Sequence, residues 1–233
     1  MKAYKTIARL TGVGYLIIFI SGFFANFYTL ESMVVDDNAS ETAANILAHF
    51  AQFKWGVGAF ALMVFTDIVL AVPLYSLLKN VSQGLARTSS LLRLINGGVF
   101  AIALFSLFQI IRVGQSTGDS LALQVMPLLD QFNFVWNIGL LFFGVHLIIM
   151  GCLLSRSAWF PKTIGWVVQM AGFAYLIDSG AQLWFSQYQS YQSYFEILVI
   201  GGGVIGEFSL TLWLLIRGIK VNTKVTVPLA NSI

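Results

Sequence analysis

Apolar residues fill six stretches that carry almost no charge: Leu10–Leu30, Gly56–Leu78, Leu91–Ile111, Phe132–Leu154, Ile164–Phe185 and Ile197–Ile216. A helix rises about 1.5 Å per residue, so each stretch is long enough to cross a hydrocarbon layer about 30 Å thick. The runs are continuous rather than alternating, which excludes the strands of a membrane barrel. Between the first two, Thr29–Phe53 begins acidic and then changes period. Asn38 with Glu41 three residues later forms a capping box, and Ala43, Ile46, Leu47 and Phe50 recur at helical spacing. The pattern predicts a short amphipathic helix over Ser40–Gln52, lying on one face of the bundle. Gly114–Gln131 reads as a mildly acidic loop. Ser186–Tyr194 (SQYQSYQSY) reads as an interfacial loop, since Tyr gathers at the membrane surface. Lys79–Ser90 and Ser155–Thr163 are too short to hold a soluble domain.

Charge turns this pattern into a topology. Lys2, Lys5, Arg9, Lys79, Arg87, Arg93, Arg156, Lys162, Arg217, Lys220 and Lys224 fall toward one side of the six stretches, and only Lys54 and Arg112 toward the other. Glu31, Asp36, Asp37, Glu41, Asp119, Asp130 and Glu196 lie on or near that second side. Basic residues flanking spans resist translocation, so the basic side is cytoplasmic and both termini face it. The expected fold is all-α: a polytopic membrane bundle of six helices with one short outer amphipathic helix. Residues 1–220 form one domain and 221–233 a loose cytoplasmic tail. The basic start and first apolar run resemble a signal peptide. The run is too long for an h-region, however, and no A-x-A-like site follows, so a retained span is expected. Hydrophobic residues make up 58% of the 233-residue chain and charged residues 10%, and mean hydropathy is +0.81. A soluble surface needs more charge than that. The net charge of +3 comes from span ends, which points to the lipid bilayer as partner and away from nucleic acid. Cys152, the single cysteine, reads as a small packing residue.

Asp67, Asp178 and Glu207 are the acids left inside spans. An ionisable group at mid-bilayer costs at least about 2.5–3.5 kcal/mol, so it should face protein or water. Asp67 lies 12 residues before Lys79, while His146 and Glu207 each lie 10 before Arg156 and Arg217. These three spans run in the same direction, so Asp67, His146 and Glu207 are expected at one level, where they could converge. Asp178 falls nearer the outer face on a stripe with Tyr175 and Gln182. Arg93 shares a face with Asn96, Gly97 and Phe100, and is the candidate partner of Asp67 in a structural bridge. His146 and Asn137 point to opposite sides of their span, so they should meet different neighbours. The ligand or proton-site candidates are therefore Asp67, His146, Glu207, Asp178 and Arg93. A metal held by His146, Glu207 and Asp67 is chemically open to zinc, manganese or iron, with only one membrane His to anchor it. No particular cofactor is indicated. The other His lies outside the spans, which argues against bis-His haem, and no mid-span Lys could carry retinal. Nucleotide-binding, zinc-protease and nucleophile-elbow motifs are absent.

Several stretches resemble a known family. They are Arg9-Leu10-Thr11-Gly12 with Tyr15-Leu16-Ile17, Thr42–His49, Phe142–Leu147, Pro161–Gly165, Tyr175–Ser179 and Gly206–Leu215. In order and spacing they are similar to the bacterial membrane proteins grouped as domain of unknown function 4386, over about Arg9 to Gly218. The resemblance implies a six-span protein of a bacterial cytoplasmic (inner) membrane and carries over no catalytic roles. Three functions stay open on the residues. The chain could bind or move a small solute, ion or lipid through a buried polar site. It could be a membrane enzyme acting on a lipid or quinone, with His146 and a carboxylate or metal. Or it could be a non-catalytic partner, in a homo- or hetero-oligomer, whose charges pair helices and whose Gly97, Gly98, Gly202 and Gly206 pack them.

Overall fold

The computed structural model describes residues 2–116 and 118–217, so the tail expected at 221–233 lies outside the described residues. The described chain is helical, with no strand. Helix α1 (Lys2–Phe23) continues through a π-helical turn, Phe24–Leu30, into α2 (Glu31–Met33). Then follow α3 (Ala39–Ala48), α4 (Phe50–Leu78), α5 (Gln83–Ser116), α6 (Gly118–Arg156) and α7 (Lys162–Trp184). The last helix is built of α8 (Tyr188–Leu198), a second π-helical turn Val199–Val204, and α9 (Ile205–Ile216). Five of these helical runs are long and apolar enough to cross a membrane: Tyr4–Met33, Phe50–Leu78, Gln83–Gln115, Leu121–Arg156 and Tyr188–Ile216. The protein is thus a multi-pass membrane helix bundle. Large apolar side chains stand exposed on these helices, among them Ile20, Phe65, Ile102 and Ile216. A soluble fold could not leave them bare.

The long helices close a ring in which each touches its neighbours in the chain, α1–α4–α5–α6–α7–α9, and α9 returns to α1. Glycines set the tightest contacts, because lipid gives helices no hydrophobic reason to associate and close packing must supply the attraction. On α6 and α7 they face each other in pairs. A Cβ on Gly144 would sit 2.8 Å from the carbonyl oxygen of Gly172, and one on Gly151 would sit 2.5 Å from that of Gly165. Gly12 closes the ring against Leu214 and Leu215, where a Cβ would come within 3.0 Å. Of the glycines expected to pack helices, Gly97 meets Ile68, Gly202 meets Ala174 and Gly206 meets Val167 and Ala171. Gly98 meets open space and has no such role.

One end of the ring is capped. As the sequence predicts, the Asn38 side chain accepts from the Glu41 amide and its own amide donates to the Glu41 carboxylate. The helix ends at His49, however, and not at Gln52, because His49 leaves helical geometry at φ −114°, ψ 35° and α4 starts anew at Phe50. The expected loops at this end are helices. Most of Gly114–Gln131 belongs to α6, whose Leu121, Val125, Leu128 and Leu129 join Ala43 and Ile46 of α3 in one apolar cluster. Most of Ser186–Tyr194 belongs to α8, with the Tyr188 ring stacked on Phe195 at 5.1 Å. The opposite end is joined by the two short turns around Asn80–Ser82 and Ser157–Pro161. There the apolar core of Leu77, Leu78, Leu153, Leu154 and Phe160 closes the interior.

Filling either paired crossing should force α6 and α7 apart. Gly172→Leu and Gly151→Leu are each expected to destabilise the bundle by about 1–3 kcal/mol or more. Gly98→Leu should be near neutral, and thermal unfolding in mild detergent would separate the two classes.

Candidate functional site

The buried ionisable groups fall into a sealed knot, a Glu207–Tyr175 pair and an open pocket. The knot is centred on Arg93, which is fully buried on α5. Its stripe extends from Ser89 through Arg93 to Asn96, at four and three residues, so all three project into the ring. The Arg93 Nη2 donates to Asp67 Oδ1 at 2.5 Å and its Nε to the Asp67 carbonyl oxygen at 3.0 Å, both on α4. Its Nη1 donates to the Tyr15 hydroxyl of α1 at 3.1 Å and to His146 Nε2 of α6 at 3.0 Å. Asn96 donates to the second Asp67 oxygen at 3.1 Å. The guanidinium also lies over the rings of Tyr15, 5.1 Å from the centroid, and Phe143, 5.8 Å from it. One side chain thus joins four helices, and the bridge expected between Asp67 and Arg93 is present.

These bonds fix the state of His146. A guanidinium only donates, so Nε2 must offer its lone pair, and the proton of the neutral ring sits on Nδ1. Nδ1 lies 2.8 Å from the Ser89 carbonyl oxygen, its acceptor, and 2.9 Å from the Ser89 hydroxyl. Both ring nitrogens are engaged. Among the described residues no three of His, Cys, Asp and Glu gather closely enough to hold one metal ion, so this geometry gives a metal at His146, Glu207 and Asp67 no support.

The three groups expected at one level meet only in part. Asp67 and His146 share Arg93, whereas Glu207 accepts from the Tyr175 hydroxyl of α7 at 2.9 Å. Phe143 touches both groups, with its ring 5.9 Å from that of His146 and 5.4 Å from that of Tyr175. Gly203 makes room for the phenol, since a Cβ there would lie 3.1–3.2 Å from it. The two faces of α6 do meet different neighbours, because Asn137 donates to Gln182 of α7 at 2.8 Å while His146 faces α5.

Asp178 lies elsewhere. It lines a pocket of about 640 Å³ at the capped end, together with Glu31, Asp36 and Glu196. The Asp178 carboxylate accepts from Tyr188 at 2.8 Å and from Gln182 at 2.9 Å. Glu31 accepts from Asn26 and Glu196 from Gln192, each at 2.8 Å. Among the described residues the lining contains no Lys, Arg or His. Both π-helical turns contribute to its wall, through Asn26, Phe27 and Leu30 of the first and Val199 and Ile200 of the second. A π turn carries bonds from residue i to i+5, and Glu31 N–H donates to the Asn26 carbonyl in this way. The same widening sets the side chains of Asn26 and Glu31 side by side on the pocket wall. Such turns recur at functional sites. Of this pocket the sequence reading singled out only Asp178 as a candidate. Glu31 and Glu196 were placed at the membrane surface, and Tyr188 in a loop.

Removing one partner from the knot leaves an unpaired buried charge. Arg93→Met is expected to destabilise the protein by about 3–5 kcal/mol. The double variant Asp67→Leu with Arg93→Met should recover part of that loss. Unfolding measured in lipid or mild detergent would show the single variant to be worse than the double.

The comparisons with known proteins give a family and add no activity. A family described as a domain of unknown function, DUF4386, matches residues 10–218. An uncharacterized protein of the archaeon Archaeoglobus fulgidus is 29% identical over 172 residues, which cover 74% of this chain and 88% of its own. No solved structure matches the chain. With nearly its whole length matched, the chain belongs to the domain of unknown function 4386 family.

Proposed function

We propose that this chain is a six-span protein of a bacterial cytoplasmic membrane that binds a small cationic solute at its outer face, for sensing or uptake. The observation that carries the reading is the pocket of about 640 Å³ with four carboxylates on its wall and no basic residue among those described. The sixth span is α7. Its 23 residues reach about 35 Å as a helix, and Trp166, Met170, Phe173 and Ile177 give it an exposed apolar face. Its average apolarity is lowered by Asp178, which it buries, and by Gln182, which lines the pocket. The basic residues Lys79, Arg87, Arg156, Lys162 and Arg217 flank the short-turn end, which supports a cytoplasmic side for that end and both termini. The capped end, with the pocket, then faces outward.

The buried knot plays a different part in this reading. Asp67, Arg93 and His146 are held by one another and by Tyr15, Asn96 and Ser89, so they support the bundle and do not meet the solute. Against an enzyme that uses His146 as acid, base or metal ligand stands the engagement of both its ring nitrogens. Glu207 with Tyr175 lies between the two regions, one helical turn along α7 from Asp178.

Two measurements test these claims. On a Cys152→Ala background, single cysteines at Asn38 and Ser186 should react with an impermeant maleimide on intact cells. A cysteine at Ser82 should react only after lysis, and the reverse pattern would sink the topology. For the purified protein, small organic ammonium ions should raise the melting temperature and organic anions should not. The double variant Asp178→Asn with Glu196→Gln should lose that response. Equal stabilisation by anions, or an undiminished response in the double variant, would sink the binding claim.

A further inference from the structure

The ligand of the outer pocket, we infer, is an extended organic cation with two or more amino groups separated by alkyl segments. This deepens the cationic-solute reading and rests on it.

The first ground is how the charge is distributed. Glu31 lies at the end of the first helical run, Asp36 in the turn after it, Asp178 on α7 and Glu196 on α8. They ring one cavity, yet no three of them come close enough to share a metal ion. A compact divalent ion needs six or so oxygens converging at about 2.0–2.6 Å, which this wall does not offer. A chain of ammonium groups can meet separated carboxylates one by one.

The second ground is what lies between the acids. Leu30, Val34, Leu129, Val199 and Ile200 interrupt the polar lining. Methylene segments would be buried against such side chains, whereas a hydrated ion gains nothing from them. The amide oxygens of Asn133 and Gln189 add acceptors for further N–H groups. Small-molecule sites measure roughly 300–1,000 Å³, and this cavity of about 640 Å³ is in that range.

The third ground is Asp178 itself. It is only 7% exposed, both its oxygens are held by neutral donors, and among the described residues no basic one lines its cavity. A carboxylate this deeply buried is either neutralised by a proton or matched by a cation. Here the available space for a cation is the pocket. Tyr188 and Gln182 fix the carboxylate in place, and the two π turns contribute to the pocket wall, so the ligand meets a preformed site.

The test uses the full chain in nanodiscs of neutral phosphatidylcholine, titrated calorimetrically with butylamine, 1,4-diaminobutane, spermidine and magnesium chloride at constant ionic strength. Affinity should rise about tenfold with each added amino group. Magnesium at equal concentration should not displace spermidine. Glu31→Gln and Glu196→Gln, both at exposed positions, should each weaken spermidine about tenfold while leaving the melting temperature of the free protein unchanged. Butylamine binding as tightly as spermidine, or magnesium displacing it, would overturn the multi-amine assignment and leave a generic cation site. Unchanged spermidine affinity in both variants would overturn the location. Failure of every cation to bind would remove the cationic-solute reading as well.

Discussion

A guanidinium with no access to water constrains everything around it. Arg93 is fully buried in the ring of helices, where an ion is tolerated only if its donors are met and its charge is matched. Asp67 supplies the counter-charge. Tyr15, His146 and the Asp67 carbonyl accept the remaining bonds, so α1, α4, α5 and α6 must hold their relative depth and rotation. A slip of one residue along any of them would rotate its contributor by about 100° and leave a donor unmet. The knot therefore sets register in a bundle whose outer faces are all apolar and carry no register information of their own. His146 accepts from the guanidinium, so its neutral tautomer is part of the same constraint. One cost is left inside the knot, since Asn96 Oδ1 is buried with no hydrogen-bond partner among the described residues.

Glycines do the work the knot cannot. Arg93 does not bond to α7 or α9, and these two are drawn in by close backbone approach at Gly144 and Gly172, Gly151 and Gly165, and Gly206 and Val167. On α6 and α7 the paired glycines are seven residues apart, two turns along one face, so the two backbones stay in contact over that length. The same smallness admits Tyr175 past Gly203 to reach Glu207. α7 and the last helix thus carry their own polar contact, with the Phe143 ring between it and the Arg93 knot.

How much of this was legible follows from what each feature leaves in the sequence. The apolar stretches and the charge partition are first-order signals, and the capping box of α3 is a local one; the multi-pass helical fold and that cap came directly from them. The Asp67–Arg93 bridge was legible because a lone acid and a lone base at compatible depths have few alternatives. That Tyr15 and Ser89 join the Arg93 knot, and that Tyr175 turns to Glu207, was not legible, since a hydroxyl on an apolar span is compatible with many faces. The early turns of α6 did leave a trace: Leu121, Val125, Leu128, Leu129 and Phe132 follow helical spacing and are buried. Pro127 sits within this part of α6 at an exposed position. α8 did leave a trace, since Tyr188, Tyr191, Tyr194 and Leu198 recur at three and four residues, although none of its residues is buried and the period marks no packed face. The π turns were beyond reach, because the extra residue that widens a helix is chosen by tertiary packing and not by composition.

Those unreadable turns decide where the chain's negative charge ends up. With ordinary α geometry through residues 24–31, Asn26 and Glu31 would diverge by about 140° around the helix and could not share a wall. The π turn brings them together, and the second one lines the same pocket. Widened helices carry fewer well-placed backbone bonds, so they persist only where surrounding contacts favour them. In this protein Thr29 contributes such a contact by donating from its hydroxyl to the Phe24 carbonyl at 3.1 Å while its side chain packs on Gly56. The pocket is thus anchored through α4, the helix that also holds Asp67 in the knot. A ligand that pulled Glu31 inward would load the Thr29–Gly56 contact first, and through it the end of α4 nearest the cap. That is the physical route by which an outer site could be felt by a core that no solvent reaches.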